Sequence, residues 1–575
     1  MIEKMTKYSF ILLKGEEEKF LERLRELGVV DIKRSSVPVD ERSTELMDRI
    51  SQVRHEIATL ESGVDTHLTE LLTLRDSLEE AVGIISPWGD FDRDKTEALN
   101  EAGVPIHFYS VPDKSFDPAW AEEYPLQIVT DEGKKVYFVI PGDVTGFPVK
   151  EMKSPMSTAR ELKALIELKD KEIERYRKHL EDKKSAIPGL EKQGADLTNE
   201  LNLYLAALAG ESAVDDRITV FEGFAPTDTD ARLAEVLDSS EALWIKDKAT
   251  KEDNPPISYK NNWFTRQFQV LTDMYGRPAY DEFDPTPILG PFFLLFFAMC
   301  MGDAGYGLLL ILIGCFLKKK VPSMADMGPL VILLGVGTFL VGIVLHTFFG
   351  INIYTAEWVP QWLKSCMVTG SIAGYDAQMV LAVGVGVFHI CLAMVVKSLC
   401  FTKRYGFSKC ISTWGWTLLI VGSVVTGGLA LLGVIDKPVV KVVLIILGIV
   451  SGLSIFLLND LHRNPLLNVG AGLWETYNTV TGLMGDVLSY LRLYALGLAG
   501  GMLGNTFNTL AGMTLDMKIP LMNILLFVII LLIGHVLNLA LSCLGAFVHP
   551  LRLTFVEYFK NSGYEGSGRN YQPLK

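Results

Sequence analysis

Two guanidinium groups stand in stretches that otherwise read as lipid-facing. Arg492 lies in Asp486-Val-Leu-Ser-Tyr-Leu-Arg-Leu-Tyr-Ala-Leu-Gly-Leu-Ala-Gly500, and Arg552 in Phe547-Val-His-Pro-Leu-Arg-Leu-Thr-Phe-Val-Glu557. An arginine does not readily lose its proton, and holding one near a bilayer centre costs roughly 2.5–3.5 kcal/mol on insertion scales. Such a charge marks a functional site and calls for an anionic partner. No acidic residue lies within five positions of Arg492, so the partner is expected from another helix or another chain. Asp486, six residues earlier, points to a different helix face. Arg552 has a second reading, as a residue that snorkels near the cytoplasmic end of its segment.

Other polar groups share these apolar surroundings. Glu475, Asp486 and Glu557 either line a cavity or sit at the membrane interface. His346, His389 and His549 each either border an ion path or pack as hydrogen-bonded histidines between helices. Asp303 either lines a polar turn or caps a helix. The seven cysteines, Cys300, Cys315, Cys366, Cys391, Cys400, Cys410 and Cys543, lack metal-ligand spacing and read as small apolar packing residues. There is no phosphate loop, Ser-His-Asp arrangement or metal cluster in the soluble half, and no cofactor or metal is expected. The protein should hydrolyse nothing by itself.

The elements that must position these groups belong to a sequence of two characters. Of its 575 residues, 1–285 are rich in charge and 286–575 form a membrane domain, with apolar sequence through residue 560. The formal net charge of −14 argues against nucleic-acid binding. Met1-Ile-Glu-Lys-Met-Thr-Lys lacks the pattern of a signal peptide, so the first half is expected in the cytoplasm. Thr6–Lys14 alternates like a strand, Glu16–Leu27 reads as a helix and Gly28–Lys33 as a second strand. Leu46, Ile50, Val53, Ile57, Leu60, Val64, His67, Leu71, Leu74 and Leu78 follow a heptad. So do Leu162, Ile166, Ile173, Tyr176, Leu180, Ile187, Leu190, Leu197, Leu201 and Leu208, with Pro188 expected to kink the run.

These patterns predict an α+β cytoplasmic dumbbell: two small α+β lobes joined by an antiparallel coiled coil. The proximal lobe takes 1–40 and 215–260, the coiled coil 41–82 and 158–210, and the distal lobe 85–150. A rod of this kind is an arm or spacer rather than a catalyst.

An all-α polytopic membrane domain of about eight helices should follow. Apolar segments lie near 288–317, 328–349, 378–400, 411–434, 438–458, 472–512 and 520–556. Lys318-Lys-Lys320, Lys403-Arg404, Arg463 and the Arg569–Lys575 tail are expected on the cytoplasmic side. An even number of crossings before Lys318 then requires the first segment to turn back at Gly302-Asp303. The last two segments are too long to stand upright and must tilt, break or run along a neighbour.

The protein resembles the membrane subunit, called a or I, of V-type and archaeal-type rotary ATPases. Three motifs carry the likeness. One runs through Asn254-Pro-Pro, Asn261-Asn262 and Tyr280-Asp-Glu-Phe-Asp-Pro-Thr-Pro287 into Pro291-Phe-Phe and Gly302-Asp-Ala-Gly-Tyr-Gly307. The second is Leu488-Ser-Tyr-Leu-Arg-Leu-Tyr-Ala-Leu-Gly-Leu498. The third is His549-Pro-Leu-Arg-Leu-Thr-Phe-Val-Glu-Tyr-Phe559 with Tyr571-Gln-Pro.

The resemblance implies a stator subunit that forms two ion half-channels against a rotating ring of small membrane subunits. Translocation of protons or sodium would be coupled to ATP hydrolysis or synthesis in the head. It implies that Arg492 faces the ring carboxylate, supported by Arg552, and that Ser489, Ser542, His549 and Glu557 are candidates for the half-channel lining, beside Glu475 and Asp486. Its implied partners are the rotor ring, peripheral stalk heterodimers, a central-stalk subunit and the bilayer, and its implied place is a prokaryotic plasma membrane, with both termini cytoplasmic. Where the eukaryotic pattern has an acid, a histidine and a second acid, this protein has Asn478, Gly500 and Ser542, which fits the prokaryotic branch. The alternative is a secondary transporter with a cytoplasmic coiled-coil regulatory domain. It would be favoured by an internal repeat in the membrane half, and none is visible. A membrane-anchored tether would not explain two intramembrane arginines.

Overall fold

The computed structural model describes residues 2–34, 40–63, 65–89, 93–131, 135–142, 144, 147–152, 158–213, 217–240, 242–320, 324, 327–357, 359–372, 374–458, 465–515 and 522–575. Val64 and Arg463 of the sequence reading lie outside them. The protein is a mixed α+β region with small sheets followed by a helical region. It divides into two compact units, Met1–Lys33 with Glu211–Leu574, and Arg34–Gly210 with Lys575.

In the first unit, alternating apolar residues make Met5–Leu13 a strand with one buried face. It pairs antiparallel with Ile218–Pro226 on one side and Leu243–Lys248 on the other. Asp31–Ile32 and Glu211–Ala213 complete the five-stranded sheet by pairing with Ile218–Pro226. Tyr8, Phe10, Phe221 and Phe224 are fully buried there, under the Phe20, Leu21 and Leu24 stripe of helix Glu17–Leu27.

Lys7 bridges Asp253 at 2.7 Å and Glu222 at 2.9 Å. The Lys7 hydrogen bond, with further bonds from Thr250, holds the Asp253 carboxyl down to about 2 from an ordinary 3.8. A depressed carboxylate contributes stability that is complete above the ordinary value and lost as pH falls towards the folded one. Lys7→Met should therefore raise the Asp253 titration and weaken the loss of thermal stability between about pH 4 and pH 2. An unchanged acid limb in detergent-solubilised protein would refute this.

The second unit holds the heptad helices. Glu41–Ser62 packs on Ile187–Leu208, and Thr66–Ile85 on Ala159–Lys183. The seam clusters Leu46, Ile50 and Val53 with Leu197, Leu201 and Leu205, and Leu60, Leu68 and Leu71 with Ile173 and Leu180. This opposition is antiparallel. One seam position needs correction: His67 is exposed and Leu68 takes its place at 1 % exposure. The cause is local. Gly63 ends one helix in the left-handed conformation and Asp65 caps the next, so the heptad phase restarts. Asp65 also accepts from Tyr176 across the pair, as Asp40 does from Tyr204. Pro188 begins a new helix after a tight turn at Lys184–Ala186, where its missing N–H leaves no bond unmade. A three-stranded antiparallel sheet, with Lys135–Pro141 between Ile106–Pro112 and Gln127–Asp131, packs on Trp120 and Phe147.

Among the described residues, five helices are long and apolar enough to cross a membrane: Ala377–Tyr405, Ile411–Leu431, Lys437–Phe456, Leu467–Leu515 and Met522–Ser562. Two shorter apolar helices among the described residues precede them, Thr286–Met301 and Gly328–Val344, with Ala304–Lys320, which ends in three lysines, between the two in sequence. The break at Gly302-Asp303 is present, but the helices flanking it do not pack along each other. Ala304–Lys320 packs along Gly328–Val344, whereas Thr286–Met301 packs on Gly328–Val344 and on the last two long helices.

After Ser562 the polypeptide returns to the sheet-bearing end of this unit. Arg569–Asn570 pairs parallel with Pro256–Ile257, the Tyr571 hydroxyl donates to Val29 O at 2.5 Å, and Leu574 N donates to Val30 O at 3.1 Å. Arg404, its side chain only 5 % exposed, pairs with Asp281, Glu282 and Glu565.

Candidate functional site

The first of the two over-long segments is interrupted at Tyr490, between helices Pro465–Ser489 and Leu491–Leu515. There Tyr490 N bonds Val487 O and Leu493 N bonds Tyr490 O, both at 3.1 Å and both three residues back rather than four. Arg492 is the second residue beyond the break. Its Nη1 is buried, and among the described residues no group accepts a hydrogen bond from it. It lies within electrostatic reach of the Cys300 thiol and the His549 ring. The second segment runs as an α-helix from Met522 to Arg552 and then widens into a π-turn, Leu553–Tyr558. Such turns recur at functional sites. Arg552 is exposed at this junction, and His549, one turn before it, feels both arginines.

The other candidates separate into groups. Ser489 donates its hydroxyl to Glu557 Oε1, joining the end of one helix to the π-turn of the other. Glu557 is 3 % exposed, and its Oε2 has no partner among the described residues. Asp486 accepts from Asn561 at 2.8 Å and meets Lys560 at 3.5 Å. Ser542 donates to Asn538 Oδ1 at 3.3 Å.

Two polar cavities flank this region and share no lining residue. One, of about 250 Å³, lies beside the helix that follows the break, along Leu493 to Asn505, and is lined also by His346, Thr347, Asn352 and Gln378. The other, of about 270 Å³, lies beside the helix that precedes the break and is lined by Glu475, Asn478, Asp486, Lys397, Lys560 and Asn561. Each has room for several waters at about 30 Å³ apiece. Glu475 and Asp486 are thus brought into one cavity, whereas neither arginine lines either.

The wall of the first cavity rests on Asp303, which is 1 % exposed. Its Oδ1 accepts from the backbone of Gly305 at 2.8 Å, Tyr306 at 3.3 Å and Phe349 at 2.8 Å, and its Oδ2 from Gly350 at 2.7 Å. Of the two sequence readings, Asp303 is the cap of helix Ala304–Lys320, and it also clamps a distant turn. That turn is strained: His346 and Phe349 have φ of 53° and 48°. Gly350, at φ 73°, packs so closely on the last-but-one helix that a Cβ would lie 2.5 Å from Asn505 N.

A relay of side chains that sequence reading did not single out backs this wall. The Tyr306 hydroxyl meets His535 Nδ1 at 2.8 Å, His535 Nε2 meets Asn508 Oδ1 at 3.0 Å, and Asn538 donates to Tyr306 and to Gly500 O. The available signal was four polar residues in apolar helices, but nothing in their spacing said that they meet.

The sequence profile of the V-type ATPase 116kDa subunit family matches residues 143–355 and 474–575, more than half of the protein. An A-type ATP synthase subunit I of Methanocaldococcus jannaschii is 30% identical over 390 residues, covering 63% of this sequence and 55% of that protein. The sequence thus spans about half the length of such archaeal relatives. A V-type ATP synthase subunit I of Borreliella burgdorferi is 26% identical over 100% of this sequence and 99% of its own length. Another from Treponema pallidum is 25% identical over the full length of both.

Proposed function

This chain belongs to the V-type ATPase 116kDa subunit family, and on that premise we propose that it is the membrane stator subunit I of a rotary A/V-type ATPase. In this reading it forms two ion half-channels against a rotating ring and couples proton or sodium movement to ATP hydrolysis or synthesis elsewhere in the complex. One observation carries the proposal: an arginine in an apolar segment, with no acceptor for Nη1 among the described residues, falls along the sequence between the stretch that lines one polar cavity, Glu475 to Asp486, and the stretch that lines the other, Leu493 to Asn505.

A ring carboxylate is the acceptor that Arg492 lacks. A guanidinium beside it favours its ionised form, so the ion leaves before the ring site passes. The same fixed charge keeps the two cavities from conducting into each other. Arg552 supports it from the second long helix, with His549 within electrostatic reach of both. Glu475 and Asp486 serve the second cavity, and Ser489 and Glu557 hold the two long helices together at its edge.

The five long and two short apolar helices found among the described residues, with Ala304–Lys320, are read as about eight crossings with both termini in the cytoplasm. With Lys318–Lys320 and Lys403-Arg404 on that side, the second cavity opens to the cytoplasm and the first to the outer face. The paired heptad helices and the small sheets are read as a cytoplasmic arm, a dumbbell held by peripheral stalk heterodimers. The proximal lobe comprises 1–40 and 215–260, the coiled coil 41–82 and 158–210, and the distal lobe 85–150.

Single cysteines test the two-sided arrangement. The exposed Cys315 and Cys366 are first replaced by serine, and Asn505→Cys or Asn478→Cys is added. A membrane-impermeant thiol reagent should block ion transport through Asn505→Cys only from the outer face, and through Asn478→Cys only from the cytoplasmic face. Block of both from one face, or labelling without block, would overturn the proposal.

A further inference from the structure

The break beside Arg492 is held by a residue on a different helix. Tyr490 is fully buried. Its ring fills a slot opposite Gly386, where any Cβ would lie 2.2 Å from Tyr490 Cγ. Its hydroxyl meets Nδ1 of His389, on helix Ala377–Tyr405, at 2.9 Å. His389 is fully buried as well, and its ring does two further things. It stacks on Tyr558 at 4.5 Å and 10°, and it lies against Phe292 at 4.3 Å. Tyr490 precedes Arg492 by two residues, and Tyr558 closes the π-turn that begins after Arg552. One imidazole therefore touches both local distortions that carry the arginines.

Each distortion forgoes regular helical hydrogen bonds and persists only where packing fixes it. A tyrosine hydroxyl buried in an apolar setting needs a partner, and His389 supplies it from outside the broken helix. Phenylalanine at 490 would fill the slot without that tie, and leucine at 389 would keep the bulk without the hydrogen bond. The arrangement thus separates packing from direction.

We propose that His389 and Tyr490 form a positioning pair that sets the helix break and, through Tyr558, the π-turn, so that Arg492 and Arg552 point to one place. The proposal rests on the ion-path reading of Arg492. The two members of the pair meet through one hydrogen bond, so removing it from either side should have the same effect on the break, which a merely structural contact would not require.

The test uses the assembled complex in inverted membrane vesicles and reads ATP-driven uptake of protons and of sodium per ATP hydrolysed. His389→Leu and Tyr490→Phe are each expected to lower that ratio about tenfold, the scale of a reacting group displaced by a fraction of an ångström. The double variant should be no worse than either single one. His389→Asn, whose amide reaches the place of Nδ1 but which lacks the ring that stacks on Tyr558, should recover part of the ratio relative to His389→Leu with Tyr490 present and none with Tyr490→Phe. Tyr490→Phe removes one oxygen only, so a folding failure at 389 leaves the test intact.

Normal coupling in Tyr490→Phe, multiplicative losses in the double variant, or failure of His389→Asn to recover would each overturn the pair. Arg492→Gln, assayed in the same vesicles, separates the two levels of argument. If it stops uptake while the His389 and Tyr490 variants do not, only the positioning proposal falls. If it too transports normally, the ion-path reading falls with it.

Discussion

Arg492→Gln is expected to abolish ATP-driven ion uptake into inverted membrane vesicles while the complex stays assembled and still hydrolyses ATP. Glutamine keeps much of the length and a hydrogen-bonding end of the side chain and removes the charge. Two opposite charges about 4 Å apart interact by about 4 kcal/mol at the effective dielectric of a protein surface, and by more where water is excluded. A neighbouring cation of this kind lowers a carboxyl pKa by about 1–3 units. Without it the ring carboxylate would keep its ion as it passes, and the leak barrier between the two cavities would be lost. Both effects reach zero net uptake by different routes.

Arg492→Lys should fall between the two, because a buried ammonium can lose its proton where a guanidinium does not. Arg552→Gln should cost less than Arg492→Gln, because Arg552 is exposed at a helix end whereas Arg492 Nη1 is buried. Normal uptake in Arg492→Gln would make the charge structural and reopen the secondary-transporter reading.

Arg492 stood out in the sequence because a charge inside an apolar run is anomalous whatever its surroundings. The strands, the heptad helices and the long apolar segments were legible for a similar reason, since each is written in a period that local sequence carries. Errors arose where a local rule met a break. His67 kept the heptad spacing on paper, yet Gly63 and the Asp65 cap restart the helix and put Leu68 in the seam. The turn at Gly302-Asp303 was legible, but the packing of the helices around it was not, because close approach of Gly307 to Gly335 decides which pair is intimate.

The cavities were illegible for a different reason. The first draws its lining from near Met299, His346, Gln378 and Leu493 to Asn505, four stretches that only the fold brings together. The docking of Tyr571 on Val29 joins residues 542 positions apart. No periodicity reports a contact of that kind. Asp303 could be read as polar and near a helix start, but two of its four amide donors lie 46 and 47 residues away.

That carboxylate gives the second large effect. Asp303→Ala would leave the N–H groups of Gly305, Tyr306, Phe349 and Gly350 without their acceptor in a buried site. Each unsatisfied buried donor costs about 1–3 kcal/mol, and the total approaches the whole net stability of a domain, about 5–15 kcal/mol. The turn it clamps already holds two non-glycine residues at positive φ, each costing on the order of 1–3 kcal/mol. Asp303→Ala should therefore fail to accumulate in the membrane. Asp303→Asn is the more informative variant. It keeps one oxygen for the three amides at Oδ1 but turns an NH2 towards Gly350 N–H, a donor facing a donor. It should accumulate, unfold at a lower temperature in detergent, and alter thiol reactivity at Asn505→Cys, because Gly350 rests on Asn505. If Asp303 instead served the ion path directly, Asp303→Asn would lose uptake with an unchanged unfolding temperature and unchanged reactivity at 505, and the clamp would be refuted by the pair of measurements together.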